Sequence, residues 1–235
     1  MPNISVALAA YNGEKYIREQ INSILIQLRE NDELIVSLNP SSDNTEKIIR
    51  SIALEDNRVK IYISYNLGVI ANFENAIRKC NNEIIFLSDQ DDIWVEGKIK
   101  RILNSFEDEN IGLVFHDIQV VDENLKPIDI RLPRSYRGEI TPFKIFICNH
   151  IQGSCMAFRK IFVDKIIPFP MDIPMHDIWI SMIIAHYSIV KNIDDKLIKY
   201  RRHEGTVTDL KRRSIGVIIK SRIVLLLRYF CRLVS

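Results

Sequence analysis

The chain is poor in the features that mark several protein classes. Its four cysteines, Cys80, Cys148, Cys155 and Cys231, form no C-x-x-C pair and follow no regular spacing. A disulfide framework and a structural zinc site are therefore disfavoured, and a reducing compartment is the expectation. No run of about 18 uncharged apolar residues exists, so no transmembrane helix is expected. Pro2 and Asn3 lead straight into a short strand-like run, where a signal peptide would show a basic segment and then a long apolar one. Acidic residues are missing from 211–235, which holds seven basic side chains: Lys211, Arg212, Arg213, Lys220, Arg222, Arg228 and Arg232. The chain as a whole is only +2, so the body before this tail is mildly acidic. That distribution does not suit a general nucleic-acid binder. No internal repeat or low-complexity segment is visible.

What is present is ordinary globular composition, 47% hydrophobic and 26% charged over 235 residues. The length fits one large domain, or a domain with an appendage. Short apolar runs alternate with amphipathic ones. Residues 4–10, 34–38, 59–63 and 84–88 read as strands. Helices are expected between them, with Tyr16, Ile17, Ile21, Ile24, Leu25 and Leu28 on the inner face of the first. Asn12 is positioned to cap that helix, and Asp43 with Glu46 resembles a capping box for the second. Further on, 98–106 reads as a helix, 113–117 as a strand, 122–126 as a turn and 152–158 as a strand. A short helix over 159–167 and a longer one opening at 175 follow. Residues 189–193 and 197–200 read as a closing hairpin or paired strands. Residues 129–150 lack clean periodicity, and suit either a mobile loop over a cleft or an irregular excursion. Strand–helix alternation of this kind predicts an α/β fold with a parallel sheet.

The sharpest feature lies at the end of the fourth strand. Glu83-Ile84-Ile85-Phe86-Leu87-Ser88 runs into Asp89, Asp91 and Asp92. Charges are rarely buried unpaired, so the strand must deliver them to an open edge of the core. Such crowding suits a hard cation, although an acidic turn is the plainer alternative. Tyr11-Asn12 and Leu38-Asn39 also fall at carboxyl ends of expected strands, where ligands of parallel sheets bind. The convergence favours the metal and adds a nucleotide or phosphate ligand. Asp177, near a helix N-terminus, either complements the helix dipole or serves as a general base. A calcium loop beginning at Asp89 would need glycine where Trp94 stands. A nucleotidyltransferase would want a glycine-rich basic loop where Ala9-Ala10-Tyr11-Asn12-Gly13 stands. No aspartate is isolated as the nucleophile of an aspartyl-phosphate hydrolase.

Five segments in order carry a resemblance: residues 5–13, Ser42-Asp43-Asn44-Thr45, Ser88-Asp89-Gln90-Asp91-Asp92-Ile93-Trp94, His176-Asp177-Ile178-Trp179 and Tyr200-Arg201-Arg202-His203. Together they resemble a family 2 glycosyltransferase, most of all the bacterial rhamnosyltransferase-like members of cell-surface polysaccharide assembly. The resemblance covers about residues 3–208. It implies a GT-A fold with a mixed, mostly parallel sheet flanked by helices, spanning 1–210. The nucleotide-sugar half would be 1–95 and the acceptor half 96–210. It also implies inverting transfer from a UDP- or dTDP-sugar to a glycan or polyprenyl-diphosphate-linked saccharide, with Mn²⁺ or Mg²⁺. Ala10, Tyr11 and Asn12 would border the base and ribose. Asp89-Gln90-Asp91 would be the D-x-D motif, with Asp91 the principal metal ligand and Asp89 toward ribose or metal. Asp177 would be the catalytic base, and His203 would complete metal or diphosphate contacts, with a surface histidine as its plain alternative. One departure stands out. Leu38, Asn39 and Pro40 replace the family's two aspartates and glycine, one of which accepts a hydrogen bond from the donor base. Asn39 keeps a carbonyl acceptor there and Leu38 keeps nothing polar. A non-catalytic scaffold on a degenerate glycosyltransferase fold is the alternative this departure supports.

Residues 211–235 read as a basic, apolar, amphipathic helix. It would lie on an anionic membrane surface, pack on the domain, or contact a subunit. With the lipid-linked acceptors the resemblance implies, the expected location is cytoplasmic, peripheral on the inner face of the bacterial plasma membrane.

Overall fold

The structure, a computed structural model, describes residues 1–129, 136, 138–203 and 215–234, with Ile215 described by its backbone alone. Parts of the 129–150 excursion and of the basic tail, including Lys211, Arg212 and Arg213, lie outside the described residues. The first half is a run of β–α units: β1 Ile4–Ala10, α1 Ile17–Leu25, β2 Glu33–Leu38, α2 Thr45–Glu55, β3 Val59–Ile63, α3 Val69–Lys79 and β4 Ile84–Ser88. There follow β5 Ile93–Trp94, α4 Lys98–Ser105, β6 Ile111–Val121 and α5 Pro142–Ile147. The chain continues through a 3₁₀ turn at Gly153–Cys155, β7 Met156–Arg159, a 3₁₀ turn at Lys160–Phe162, α6 Val163–Ile166, α7 His176–Tyr187, β8 Ile189–Arg201 and α8 Ile215–Val234.

The eight strands of the described residues join one sheet in the order β3-β2-β1-β4-β7-β6-β8-β5. The four strands of the first half are mutually parallel. β7 runs antiparallel to both β4 and β6, β8 runs parallel to β6, and β5 closes the edge antiparallel to β8. The result is an α/β fold with a mixed sheet flanked by helices. Strand alternation divides the core in two. Ile84 and Phe86 of β4 pack with α1, α2 and α4 on one face, while Ile85 and Leu87 pack with α3 and α7 on the other. Burial on both faces is what makes the parallel strands read as unbroken apolar runs.

Three local expectations are corrected. The anticipated hairpin is one strand, because Asp194 and Asp195 bulge where β8 shifts register against β6, from Ile193 opposite His116 to Lys196 opposite Asp117. A polar pair inside an apolar run looks like a turn in sequence, and here it is a bulge whose Asp195 accepts a bond from Arg101 Nε at 2.7 Å. Asn12 does not cap α1: that helix begins after Tyr16, with no side-chain cap. Nor do Asp43 and Glu46 form a capping box, since Asp43 bonds Thr45 and the Glu14 amide while Glu46 pairs with Arg50.

Helix α8 lies against α7. Leu225 is fully buried and Tyr229 nearly so. The Tyr229 hydroxyl sits 3.0 Å from His186 Nδ1, and the Arg228 guanidinium donates twice to Asp172, each time at 2.9 Å. Arg232 donates to the carbonyls of Lys165, Ile167 and Pro168. Among the described residues, no helix is long and apolar enough to cross a membrane. Because Leu225 is buried in this packing, Leu225→Ala destabilises the fold by about 2–5 kcal/mol. Leu227→Ala, at a position 62% exposed, changes stability by no more than about 0.5 kcal/mol. Urea denaturation of both variants checks this, and equal small effects would mean that α8 is not docked.

Candidate active site

The site forms where β1, β2 and β4 end. Three loops leave these strands and are laced together. Asn12 takes φ +45°, a left-handed conformation that asparagine tolerates better than most residues. This turns its amide toward the loop after β2: Asn12 N–H donates to Ser41 Oγ at 3.0 Å, and Asn12 Oδ1 accepts from Ser42 N–H at 2.9 Å. Gly13 N–H donates to Thr45 Oγ1 at 2.7 Å. The Gln90 side chain closes the third side: its Oε1 accepts from Tyr11 N–H and its Nε2 donates to the Tyr11 carbonyl, both at 2.8 Å. A Cβ on Gly13 would fall 2.4 Å from Gln90 Oε1, so a side chain there would displace the Gln90 amide from Tyr11. Gln90, expected at the ligand, has its amide engaged in positioning Tyr11.

Asn39 is buried. Its Nδ2 donates to the Ser64 and Asn66 carbonyls at 2.7 and 3.0 Å, tying the loop after β2 to the loop after β3. Any contact of its side chain with a ligand base therefore rests on the carbonyl oxygen. Ala10 ends β1, where its carbonyl accepts from Asn39 N–H and Asn72 Nδ2.

The carboxylate loop is held from two directions. Gln20, fully buried on α1, donates to Ser88 Oγ at 2.6 Å and to the Asp89 carbonyl at 3.1 Å. Arg201, at the end of β8 and 3% exposed, donates to the carbonyls of Asp91 and Glu123 and pairs with Glu19 at 2.7 Å. Its amide donates to Asp92 Oδ1 at 3.2 Å, and its guanidinium lies 4.4 Å from the centre of the Tyr16 ring. Two residues on, His203 Nε2 lies 2.9 Å from Asp91 Oδ2, with its ring 4.8 Å from that of Tyr16. The expected partners Asp91 and His203 thus meet across 112 residues of sequence.

Asp177 stands in the first turn of α7, half-buried. Its Oδ1 accepts from the Ile178 amide and from Asn149 Nδ2, the latter at 3.3 Å. The neighbouring His176 is buried, stacked on Phe73 at 4.2 Å and packed against Gly153, where a Cβ would fall 2.5 Å from its Nε2. Burial lowers His176 to about 3, so it packs as a neutral ring. Burial raises the Asp177 carboxyl to about 7. Asp89 is also raised to about 7, by burial first and then by the fields of Asp91 and Asp177. The charge of Asp177 is thus felt at Asp89.

A divalent cation fits this donor set in part. Among the described residues, no group of three His, Cys, Asp or Glu side chains is gathered to hold a metal. Asp91 and His203 are gathered as a pair, and Asp89 is not brought in with them as a third ligand. Two protein ligands completed by phosphate oxygens is a common arrangement for Mg²⁺. The sequence reading gave no role to Gln20 or Arg201. Gln20 had a signal, an amide on the apolar stripe of α1 between Ile17 and Ile24; Arg201 had none beyond its place in a motif.

Residues 5–167 match the family model described as glycosyl transferase family 2, and the chain belongs to that family. A Nostoc sp. protein described as an uncharacterized glycosyltransferase is 26% identical over 85% of this chain and 65% of its own length. The Escherichia coli protein WfgD, described as a UDP-Glc:alpha-D-GlcNAc-diphosphoundecaprenol beta-1,3-glucosyltransferase, is 24% identical over 90% of this chain and 82% of its own length. The chain spans only 36% of a Rickettsia felis relative. Among solved structures, Staphylococcus aureus TarS 1-349 in complex with UDP-GlcNAc superposes with a TM-score of 0.74. It is 19% identical, over 96% of this chain and 66% of TarS 1-349. The Pyrobaculum calidifontis mannosyltransferase PcManGT, in complex with GDP-Man and Mn²⁺, superposes with a TM-score of 0.67 at 18% identity, over 99% of this chain and 64% of its own. These likenesses establish the fold.

The raised carboxyls have a measurable consequence. A folded-state value above the unfolded one means that the folded chain holds more protons between the ordinary carboxylate range and about 7. The stability of the metal-free protein therefore falls as pH rises through that window. Asp89→Asn removes one of the groups responsible, so its melting temperature exceeds wild type at pH 7.5 and the two converge near pH ~4. Thermal melts in chelator at a series of pH values check this; a constant difference at every pH would contradict it.

Proposed function

We propose that the chain is an inverting, metal-dependent glycosyltransferase. It would move a sugar from a UDP- or dTDP-sugar to a glycan or polyprenyl-diphosphate-linked saccharide during bacterial cell-surface polysaccharide synthesis. The observation that carries the reading is the Asp91–His203 contact at the carboxyl ends of the parallel strands, beside an Asp89 that feels Asp177. The printed description of WfgD names a donor and a lipid-linked acceptor of these kinds, which supports the substrate classes. PcManGT with its Mn²⁺ supports the cation. Within the class, the transferred sugar would be a hexosyl or rhamnosyl group.

In this reading residues 1–95 hold the donor and 96–210 the acceptor. Ala10, Tyr11 and Asn12, fixed by Gln90 and the Ser41–Ser42 loop, border the base and ribose, and the Asn39 carbonyl faces the base. Asp91 and His203 hold Mn²⁺ or Mg²⁺, with Asp89 toward the ribose or metal. When bound, the cation stabilises the charge growing on the departing diphosphate. Asp177 takes the proton of the acceptor hydroxyl as that oxygen attacks the anomeric carbon from the opposite face. Inversion needs no covalent enzyme intermediate, so one carboxylate base suffices. Asn149 orients Asp177, and burial sets its proton affinity near the working pH.

A base acts only when deprotonated, so a carboxyl raised to about 7 gives a transfer rate that falls as pH drops below that value. Asp177→Asn lowers turnover by about 10²–10⁴-fold with donor binding retained. Transfer or donor hydrolysis with Mn²⁺, followed across pH, tests both. Wild-type turnover in Asp177→Asn would end the assignment. Donor binding without turnover in the native chain, with every acceptor of this class, would favour the scaffold alternative.

The peripheral, cytoplasmic-face location belongs to the same reading. The side of α8 turned away from α7 exposes Ile219, Ile223, Leu227 and Phe230, with Lys220 among them. Exposed Phe143 and Ile147 lie on α5, whose Phe146 ring is 5.6 Å from the Arg222 guanidinium of α8. An apolar stripe flanked by cations suits an anionic bilayer surface. Arg228 and Arg232 face the domain, so the stripe and not the whole basic set would make the contact. Leu227→Glu/Phe230→Glu then loses flotation with vesicles containing anionic lipid; retention equal to wild type would exclude this surface.

A further inference from the structure

Helix α8 carries three arginines, and two of them are engaged with the domain. Arg228 pairs with Asp172, and Arg232 donates to backbone carbonyls. Arg222 is placed differently. Its guanidinium lies over the Phe146 ring of α5, 5.6 Å from the ring centre, and its Nη1 is buried with no hydrogen-bond acceptor among the described residues. Burial also draws the guanidinium below its ordinary proton affinity. A long cation that covers apolar surface normally keeps its charged head in water. The aromatic contact accounts for the plane of the Arg222 head, but it leaves the shielded nitrogen without an acceptor, which is costly for an ion.

The position of Arg222 bears on what would complete it. It lies three and seven residues before Leu225 and Tyr229, so it shares the face of α8 that turns toward the domain and not the exposed stripe of Ile219, Ile223, Leu227 and Phe230. One turn before the contact of Leu225, that face meets α5. From Phe146 the chain runs straight to the proposed base. Ile147 is exposed, the Cys148 carbonyl accepts from the Tyr136 hydroxyl at 2.7 Å, and Asn149 Nδ2 donates to Asp177 Oδ1 at 3.3 Å. The His150 amide donates to the same Tyr136 hydroxyl at 3.1 Å. Three Cα steps place Phe146 and Asn149 at most about 11 Å apart. Arg222 therefore stands between an exposed apolar surface and the carboxyl that would take the acceptor's proton.

We propose that Arg222 is a phosphate-binding residue of the acceptor site, whose guanidinium holds the diphosphate of a polyprenyl-diphosphate-linked saccharide. The inference rests on the acceptor class proposed above. In such an acceptor the diphosphate joins the saccharide directly to the prenyl chain. With the sugar at Asp177 and the prenyl chain on the exposed apolar residues of α5 and α8, the charged link falls between them, where Arg222 stands. The planar fork of a guanidinium suits two phosphate oxygens at once. A phospholipid headgroup offers the same chemistry, but a bilayer would meet the exposed stripe of α8 first and not the face that Arg222 shares with Leu225 and Tyr229.

The test titrates farnesyl diphosphate calorimetrically, in chelator, into the wild-type chain, Arg222→Gln, Arg222→Lys and Asp91→Asn. Arg222→Gln is expected to weaken binding about 10–100-fold, as loss of a charge-assisted hydrogen bond does. Arg222→Lys keeps the charge without the fork and loses part of the affinity, while Asp91→Asn binds as wild type does. UDP with Mn²⁺, titrated separately, binds Arg222→Gln with wild-type affinity. Equal affinity of wild type and Arg222→Gln for farnesyl diphosphate overturns the proposal. So does wild-type binding of farnesol as tight as that of farnesyl diphosphate, which would leave only the apolar tail. Loss of binding in Asp91→Asn puts the diphosphate in the donor site and overturns it too. Flotation with phosphatidylglycerol vesicles separates the two phosphate sources: Arg222→Gln is expected to float as wild type does, and a loss assigns the guanidinium to bulk headgroups and overturns the acceptor role. Should Arg222→Gln fail to fold, Arg222→Lys decides, and wild-type affinity there overturns the proposal. A wild-type chain that binds UDP with Mn²⁺ but not farnesyl diphosphate loses this site and keeps the glycosyltransferase reading. One that binds farnesyl diphosphate through Arg222 but no nucleotide keeps the site and loses the reading.

Discussion

The guanidinium of Arg201 is the contact on which the geometry of the site depends. It is buried at the end of the last strand, yet its partners come from α1, the loop after β4 and the turn after β6. One planar group with five donors can serve such a spread of acceptors, and a lysine cannot. The contact sets the loop of Asp89–Asp92 against the end of β8, and that in turn brings His203 within 2.9 Å of Asp91. The bulge at Asp194 and Asp195 belongs to the same device, because it sets the register in which Arg201 arrives opposite Val121. The first and last parts of the chain thus meet at one site although their strands are separated in the sheet.

The electrostatics of that site oppose the fold. Asp89 and Asp177 are both held well above the ordinary carboxylate range, mainly by burial. A protein under selection for stability alone would not gather acidic groups at the mouth of a buried strand. Under the function proposed above, a cation and a diphosphate would complete the arrangement, and one of the carboxyls would hold a proton for part of a cycle. Gln20 and Arg201 meet the backbone of the loop with neutral and cationic donors. The supporting groups therefore come from several elements of the fold.

Much of this was legible in the residues. The first-half β–α alternation follows from apolar runs whose two faces are both buried, and the carboxylates after Ser88 mark an open edge by their chemistry alone. The Asp91–His203 meeting was anticipated only through family resemblance, since nothing local at His203 points across 112 residues. What local reasoning misjudged were polar residues with two possible uses. Asn12, Asp43 and Glu46 all suit helix caps by type, but loops that lie close in space offered them other partners. Asp194 and Asp195 suit a turn, but the long β6 holds β8 straight past them. Lys98 reads only as the first residue of a helix over 98–106, and nothing local announces its contacts with Trp94 and Ser154.

The departure at Leu38-Asn39-Pro40 gains a physical meaning from the loops around it. Asn39 gives both its amide hydrogens to the Ser64 and Asn66 carbonyls, two acceptors that an aspartate could not satisfy. An aspartate there would face them with its own negative charge. The asparagine is therefore matched to the loop after β3, and this local compatibility argues against reading the position as simple decay. The same bonds fix the Asn39 carbonyl oxygen as the atom left to meet a base. A base edge that offers an N–H donor suits that oxygen as well as it suits a carboxylate, though with a weaker, neutral hydrogen bond. Under the function proposed above, asparagine would keep the sense of that contact and lower its strength. Donor affinity would then lean more heavily on the diphosphate end of the site, where Asp91 and His203 stand.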